Sequence, residues 1–400
     1  MSRPANRRAL ALLTASHLID DVNQGAVPAM LPFLIAERHL SYAAAGGLVL
    51  AATVASSVVQ PIFGQVADRQ PSPWLVPSGI FAAGGGLAGA ALAPDYWLIF
   101  MCIAISGIGV AAFHPEATRL ANYVAGDRRA TSVSIFSVGG TTGFALGPLL
   151  TTWLLVALGV RGAALLIVPS AAMALLLLTQ LRRLAAYHPS RATAAPGTSA
   201  RPAAEDAWGP FGRLTAAIIV RSILFYGLNT FVPLYWIGAL GQSKANGGAV
   251  LTLLLASGAA GTLIGGRMAD RFGRKIVVVV SMACLFPLLL AFTAVATAAA
   301  ALALLVPVGM ALFAPFSVMV VMGQEYLPNR VGMASAVTLG LGMTVGGLVV
   351  PGLGWLADQF GIHTALLSLT WLPLLGVLLA LWLPPAPSVS RPAAAALAAT

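Results

Sequence analysis

The sequence predicts an all-α integral membrane protein, with twelve transmembrane helices in two pseudo-symmetric six-helix halves. Three observations carry that expectation: the scarcity of charge, the spacing of long apolar runs, and an internal repeat. Of 400 residues, 58% are hydrophobic and only 8% are charged, and the mean hydropathy is +0.89. A soluble domain carries about 25% charged residues, so 12 acids and 22 bases cannot clothe a water-soluble surface of this size. This excludes a soluble enzyme and a disordered chain. The net charge of +10 would suit a nucleic-acid binder, but the bases sit in short clusters between apolar runs, as in membrane proteins. Cys102 and Cys284 both fall within apolar runs, so neither a disulfide nor a metal site is expected.

A span needs about 20 mostly apolar residues to cross a hydrocarbon core about 30 Å thick. Six such segments come first, at 9–35, 44–67, 75–93, 96–121, 130–158 and 161–181. Six more follow, at 212–238, 246–268, 275–297, 300–324, 331–357 and 362–383. Residues 1–181 and 212–383 are therefore expected to form two six-helix bundles. Between them, 182–211 is rich in Pro, Ala, Ser and Arg and reads as a cytosolic linker that need not fold. Residues 384–400 read as a flexible cytosolic tail. The first span begins like a signal peptide, with Arg7 and Arg8 before an apolar run. However, His17 and the Asp20–Asp21 pair interrupt the run and no small-residue cleavage site follows, so it is expected to remain as the first helix.

Orientation follows from the bases. With an even number of spans both termini share one side, and that side holds eighteen of the 22 Lys and Arg residues. The opposite loops hold three, Arg38, Arg161 and Lys244, while Arg221 lies inside the seventh span. The positive-inside rule assigns the basic side to the cytosol. The expected location is the bacterial cytoplasmic (inner) membrane, with both termini cytosolic.

The two halves repeat one another. Gly64-Gln-Val-Ala-Asp68-Arg69 recurs as Gly266-Arg-Met-Ala-Asp270-Arg271, 202 positions on. Gly109-Val-Ala-Ala-Phe113-His114-Pro115 recurs as Gly309-Met-Ala-Leu-Phe313-Ala-Pro315, 200 positions on. Asp127-Arg128 likewise matches Asn329-Arg330, and Pro148 matches Pro351. Parallel repeats imply a pseudo-two-fold axis along the membrane normal and a central cavity about which the halves rock. This favours a transporter over a sensor, which needs no such duplication. It also favours a transporter over a membrane enzyme, for which the sequence offers neither a Cys/His ligand set nor a Ser–His pair in context.

Ionisable residues at depth cost a few kcal/mol each unless they face a cavity, so those in the spans are the candidate functional groups. In the first span, His17, Asp21, Gln24 and Pro28 share one helix face at about 100° per residue, while Asp20 points away as a packing member of the pair. Asp21, mid-helix with no base near it in sequence, reads as functional. In the fourth span His114 precedes Pro115, which opens the helix hydrogen bonding, and Glu116 stands one turn from Arg119. Glu116 has two open readings: a structural ion pair with Arg119, or a proton carrier. His17 and His114 read first as hydrogen-bonded structural groups, though both titrate near neutral pH in their unperturbed form. Arg221 lies about ten residues into the seventh span, followed by Tyr226, Asn229, Tyr235 and Trp236. Two readings stand equally: a pair with an acid across the cavity, such as Asp21, or a site for an anionic substrate group. In the fifth span Gly139, Gly143 and Gly147 form a stripe for close helix packing, and Pro148 loosens the helix end.

Two levels of family resemblance emerge. Gly266-Arg-Met-Ala-Asp270-Arg271-Phe-Gly273-Arg274-Lys275 fits the signature loop of the major facilitator superfamily at every marked position, and the first copy keeps Gly64, Asp68 and Arg69. The resemblance implies a gating role for Asp68, Arg69, Asp270, Arg271 and Arg274. The Gly143-x-x-x-Gly147-Pro148 element resembles the antiporter motif of superfamily exporters. Within the superfamily, Ser16-His17-Leu-Ile-Asp20-Asp21-Val-Asn-Gln24 is similar to the first helix of the fosmidomycin-resistance (Fsr) family. Similar to it too are Phe113-His114-Pro115-Glu116, Ser134-Ile-Phe136-Ser-Val-Gly139-Gly140 and Gln324-Glu325-Tyr-Leu-Pro328-Asn-Arg330. The resemblance covers roughly residues 10–383. Asp20 stands where the family often has a neutral residue, and the first gate loop lacks the Gly-Arg-Lys end. The family implies a proton-driven exporter of drugs, with a small phosphonate anion as type substrate. It carries Asp21, His114, Glu116 and Arg119 over as functional positions, with a base expected at Arg221.

The sequence reading is a proton-coupled antiporter exporting small anionic or amphiphilic compounds by alternating access. A proton-coupled importer of a small metabolite is the alternative, since direction follows the gradients. The proton-coupling set is Asp21, Glu116, His114 and His17, and the substrate-binding set is Gln24, Arg119, Arg221, Tyr226 and Asn229. No cofactor is expected beyond H+ as coupling ion. The expected partners are a small-molecule substrate and the lipid bilayer, with no nucleic acid, and the chain is expected to work as a monomer.

Overall fold

The computed structural model describes residues 6–70, 72–125, 129–187 and 205–384. Most of the expected linker (188–204) and the expected tail (385–400) lie outside the described residues, as do the side chains of Asp68 and Arg69. Among the described residues every regular element is helical.

The first half comprises α1 (Arg7–Arg38), α2 (Tyr42–Arg69), α3 (Leu75–Leu92), α4 (Tyr96–Val124), α5 (Arg129–Leu158) and α6 (Val160–Ala185). The second comprises α7 (Trp208–Gly238), α8 (Lys244–Phe272), α9 (Arg274–Ala294), α10 (Ala298–Tyr326), α11 (Val331–Phe360) and α12 (Ile362–Leu381). Short polar side chains start several of them: Asn6, Ser41, Asp95, Ser243 and Thr297 each accept a bond from the backbone N–H three residues on, satisfying a donor the helix leaves free. Gly273 (φ 95°) and Gly361 (φ 86°) make one-residue turns between successive helices, a backbone region that side chains with a Cβ avoid.

Among the described residues, eleven helices are long and apolar enough to cross a membrane. The exception is α1, whose 32 residues span about 48 Å at about 1.5 Å each, but whose apolar run is broken by His17, Asp20, Asp21, Asn23 and Gln24. The helix boundaries depart from the sequence expectation in the second half. Pro315 divides α10 into Ala298–Phe313 and Phe316–Tyr326, because proline removes a ladder donor and crowds the preceding turn. Its repeat mate Pro115 lies inside an unbroken α4. A π-helical stretch, Ala336–Leu341, interrupts α11, and α12 breaks at Thr370–Trp371. Helical structure also reaches into the expected linker at both ends, to Ala185 and from Trp208.

The repeat is visible in space. Asn6 N–H donates to Val124 O at 2.9 Å, and Ala207 N–H to Tyr326 O at 2.7 Å, so each half ties its first helix to the end of its fourth in the same way. Both of these ties, and the end of α12, lie on one face of the bundle, here the terminal face. Toward the opposite, far face, a single hydrophobic core runs through both halves, from Val27, Leu31 and Leu48 to Phe231, Leu251 and Leu353. Toward the terminal face the core divides into two, one per half: Leu13, Ile80, Phe113 and Phe136 in the first, and Leu214, Val278, Met322 and Tyr326 in the second. The halves are thus sealed at the far face and parted at the terminal face.

Glycines make the seal and the pairing within each half. In α5, a Cβ at Gly147 would lie 2.6 Å from Val22 O of α1, and one at Gly139 would lie 2.5 Å from Thr14 O. Gly143 meets the Leu18 backbone between them. The constant spacing shows α1 and α5 running parallel, backbone against backbone. Across the halves, Gly46 of α2 faces Val350 and Pro351 of α11, and Gly248 of α8 faces Thr152 of α5. At the far edge, the Asp358 carboxylate of α11 accepts from the N–H groups of Tyr42 (2.8 Å) and Ala43 (2.9 Å) at the start of α2. A carboxylate at a helix N-terminus also meets the positive end of the helix dipole.

Two outcomes are expected. Gly143→Ala should destabilise the folded protein by about 1–3 kcal/mol through overpacking, while Gly352→Ala, whose Cβ would meet nothing within 4 Å, should be close to neutral in thermal unfolding of the detergent-purified protein. Asp358→Ala should weaken the far-face seal by about 1 kcal/mol. Spin labels at the exposed Leu92 and Phe360 would read this as a larger share of widely separated far-face distances, and an unchanged distribution would deny Asp358 that part.

Candidate functional site

The candidate site forms where α1, α4 and α5 meet at mid-span. His17 and Asp21 stand one turn apart on α1, with Nε2 and Oδ2 3.4 Å from each other. From α4, His114 turns its Nε2 to Asp21 Oδ1 at 3.3 Å and its Nδ1 to Asp20 Oδ2 at 3.4 Å. One atom from each of His17, Asp21 and His114 lies within 4.8 Å of the others. Asp20 is fully buried, and Asp20 and Asp21 between them leave three carboxylate oxygens without a hydrogen bond.

Each imidazole is fixed by a backbone carbonyl. His17 Nδ1 lies 2.9 Å from Phe136 O of α5, and His114 Nδ1 lies 2.9 Å from Val110 O one turn back on α4. A carbonyl oxygen only accepts, so each Nδ1 carries the hydrogen, and each Nε2 is left aimed at Asp21. The His17 ring stacks on Phe136 at 4.2 Å and meets His114 edge-on at 5.1 Å. Gly140 of α5 completes the fit: a Cβ there would collide with His17 Nε2 and lie 2.6 Å from Asp21 Oδ2.

The structure thus brings together three of the four expected proton-coupling residues, together with Asp20, which the sequence reading set aside as a packing residue. The 100° turn separating Asp20 from Asp21 on α1 is bridged because His114 reaches both from a second helix. Glu116 stands apart from the cluster. It is fully buried, and both its oxygens are taken by Arg119 in a bidentate ion pair. Arg119 also lies over the Tyr123 ring at 5.2 Å. Gln24 is half-buried one turn beyond Asp21.

Arg221 occupies the matching place in the second half. The glycine contacts set the register to within a turn, for Gly143 meets Leu18 while Gly346 meets Ser222, so Arg221 falls opposite the His17–Asp21 turn in the repeat. Its Nε donates to Leu312 O of α10 at 3.1 Å, and its guanidinium lies 4.7 Å from the Phe316 ring, with Phe313 and Phe225 at 5.7 and 6.0 Å. Among the described residues it forms no ion pair, so of the two sequence readings the pair with Asp21 is absent in this conformation. Phe225 and Asn229 follow Arg221 on the same helix face. Asn229 is buried with its Oδ1 unsatisfied, and Tyr226 is buried against Gly346. Phe225 meets Phe144 of α5 at 6.3 Å, an aromatic contact across the two halves.

The gate loops lie at the terminal face. Arg274 is ion-paired with Glu325 at the end of α10, a partner the sequence reading did not assign to the gate. Asp270 and Arg271 are exposed, with Arg271 over the Phe272 ring at 5.2 Å. Nearby, Asp206 accepts from Asn329 N–H at 3.1 Å and pairs with Arg330 at 3.3 Å, tying the segment before α7 to the turn before α11. The aromatic surround of Arg221 and the place of Phe136 also escaped the sequence reading. Only the 200-residue repeat, applied residue by residue to α4 and α10, hinted at Phe313.

Comparison with known proteins fits this geometry. Residues 13–351 match the sequence model of the Major Facilitator Superfamily. The chain is 32% identical over 379 residues to the fosmidomycin resistance protein of Escherichia coli (strain K12), covering 92% of this chain and 91% of that one. It is also 32% identical over 382 residues to an uncharacterized MFS-type transporter, YfnC, of Bacillus subtilis (strain 168), with the same coverage of 92% and 91%. Among solved structures, a bacterial homolog of the human lysosomal transporter Spinster, in an inward-facing and occupied conformation, superposes with a TM-score of 0.79 at 16% identity over 95% of this chain and 97% of that one. A D-xylose-proton symporter superposes with a TM-score of 0.70 at 19% identity over 94% and 96%. Full-length sequence similarity and a shared twelve-helix architecture lead to one assignment: the chain is a transporter, not an enzyme, and belongs to the major facilitator superfamily.

Proposed function

We propose that this transporter exports small anionic or amphiphilic compounds, fosmidomycin-like in charge, in exchange for protons. The observation that carries the reading is the division of charge between the halves: an acid–imidazole cluster at Asp21 and an unpaired buried arginine at Arg221, in repeat-related positions at mid-span. Ionisable groups at that depth persist when they serve a pathway. A proton and an anion acting on opposite sides of one cavity are then linked through its net charge. The relative's printed name, fosmidomycin resistance protein, supports a phosphonate as the first compound to try.

In this reading the parted terminal face is the cytosolic one, as the eighteen-to-three distribution of bases in the expected topology suggests. The site is that of a monomer in a bacterial inner membrane. An anion enters from the cytosol and is held by the Nη edge of Arg221, whose Nε is already committed to Leu312 O. The three phenylalanine rings keep water from the guanidinium, which strengthens its hold on an oxyanion. Tyr226 and Asn229, further along α7, contact the rest of the substrate. Protons leave the Asp21 cluster toward the cytosol as the anion binds. Rocking of the halves then breaks the far-face seal, including the Asp358 contact, and the substrate leaves. Protons from outside refill the cluster and allow the empty carrier to return. Glu116 and Arg119 hold one another and stiffen α4 beside His114, and the Arg274–Glu325 pair stabilises the terminal face while it is parted.

The test is proton flux in proteoliposomes loaded with a pH dye under an imposed pH gradient, with fosmidomycin in a panel of anions. Wild type should dissipate the gradient only when a transported compound is present, and Asp21→Asn should abolish that coupling while leaving the protein folded. Unaltered coupling in Asp21→Asn would overturn the role of the cluster. Arg221→Gln should weaken substrate binding by about 1.5–3 kcal/mol, the worth of a hydrogen bond to a charged group, which is roughly 10- to 150-fold in Kd. Binding isotherms on the purified variant check this, and an unchanged affinity would move the anion site elsewhere.

A further inference from the structure

We infer that the mid-span cluster binds two protons, not one, and that Asp20 is the positioning charge that admits the second. The inference rests on the proton-coupled reading above but concerns how many protons the site holds and which residue sets that number. Two neutral imidazoles and two carboxylates, His17, His114, Asp20 and Asp21, leave the cluster with a net charge of minus two. The four form one group in which Asp20 is fully enclosed, Asp21 is 7% exposed, His17 is buried and His114 is part-buried.

The geometry supplies two proton positions. Because each Nδ1 already donates to a carbonyl, the contacts from His17 Nε2 to Asp21 Oδ2 (3.4 Å) and from His114 Nε2 to Asp21 Oδ1 (3.3 Å) each place a lone pair against a carboxylate oxygen. Each contact becomes attractive when one proton enters it. With both filled, the two imidazolium charges are balanced by Asp21 and by Asp20, whose Oδ2 lies 3.4 Å from His114 Nδ1. The same count holds if a proton resides on a carboxylate instead, because neutrality, not the microscopic location, fixes the number at two.

Among the described residues no further ion pair reaches the cluster. On α4 the neighbouring ionisable groups, Glu116 and Arg119, neutralise one another, α5 presents the Phe136 carbonyl and ring and Gly140, and Arg221 of α7 is held by Leu312 O of α10. A net charge buried away from water is strongly disfavoured, so the carrier with no substrate in its cavity closes only over the doubly protonated cluster. While the terminal face is open, the His114 side chain is 23% exposed and water can reach the emptied state. The proton count therefore acts as a condition on closing, and coupling is two protons for each return of the empty carrier.

Proton uptake by the purified protein in unbuffered detergent tests this without any substrate. Between about pH 9 and about pH 5.5, above the range of ordinary carboxylates, Asp20→Asn should take up one proton per chain fewer than wild type, and Asp20→Glu should restore the wild-type count. His114→Gln, which keeps both carboxylates, serves as a second variant and should keep the wild-type count. Equal uptake by wild type and a folded Asp20→Asn would overturn the inference, as would a deficit that Asp20→Glu leaves in place. The proteoliposome assay separates the two proposals. If Asp20→Asn lowers uptake but no compound drives proton flux, the two-proton cluster stands and the exporter reading falls. If compounds do drive flux and Asp20→Asn leaves the proton-to-substrate ratio unchanged, the exporter reading stands and the two-proton inference falls.

Discussion

The backbone contact between α1 and α5 is the constraint on which the site depends. Two parallel helices meet along Gly139, Gly143 and Gly147, each glycine against a backbone carbonyl of α1. That approach brings the Phe136 carbonyl within reach of His17 Nδ1 and leaves room beside Gly140 for the imidazole and for Asp21. In a bilayer, where lipid tails are as apolar as the helix surfaces, such packing rests on van der Waals contact and on polar groups satisfied between helices. Here one seam serves both ends, since the glycines that let the helices close together are also what positions a buried polar cluster. Its counterpart in the second half, Gly342 and Gly346 against Ile218 and Ser222, sets Arg221 at the corresponding place on α7.

The duplicated scaffold has been given opposite charge in its two halves. Around Asp21 the fourth helix contributes His114, and around Arg221 the tenth contributes the Leu312 carbonyl with Phe313 and Phe316. The acid side is built from carboxylates and imidazoles, the basic side from a guanidinium surrounded by rings. The mid-span aromatic contact between Phe144 and Phe225 keeps the two environments side by side in this conformation. One common core at the far face and two separate cores at the terminal face describe a carrier closed on one side. The closure combines that common apolar core with glycine contacts and one carboxylate at a helix end.

Much of this was legible in the sequence because its causes are local or repetitive. Span positions follow from about 20 apolar residues per crossing, and α1 stood out as the helix carrying ionisable groups at depth because such residues are costly in lipid. The repeat offset of about 200 located the second half of the fold from the first. Less legible were the interruptions at Pro315 and at Ala336–Leu341. Pro115 sits at the equivalent place in an unbroken helix, so the proline alone does not decide; its surroundings do.

The sequence by itself determined the class of protein, its twelve spans and the identity of its buried ionisable residues, because hydropathy, periodicity and repetition are properties of the chain read in order. The tertiary structure decided how those residues divide. It paired Glu116 with Arg119, left Arg221 without an acid among the described residues, and drew Asp20 into the cluster through His114. Helical periodicity places Asp20 and Asp21 on different faces of α1, and only the approach of α4 shows that one imidazole touches both. Partnership among buried charges depends on distances between helices, and those are set by packing that no single helix encodes.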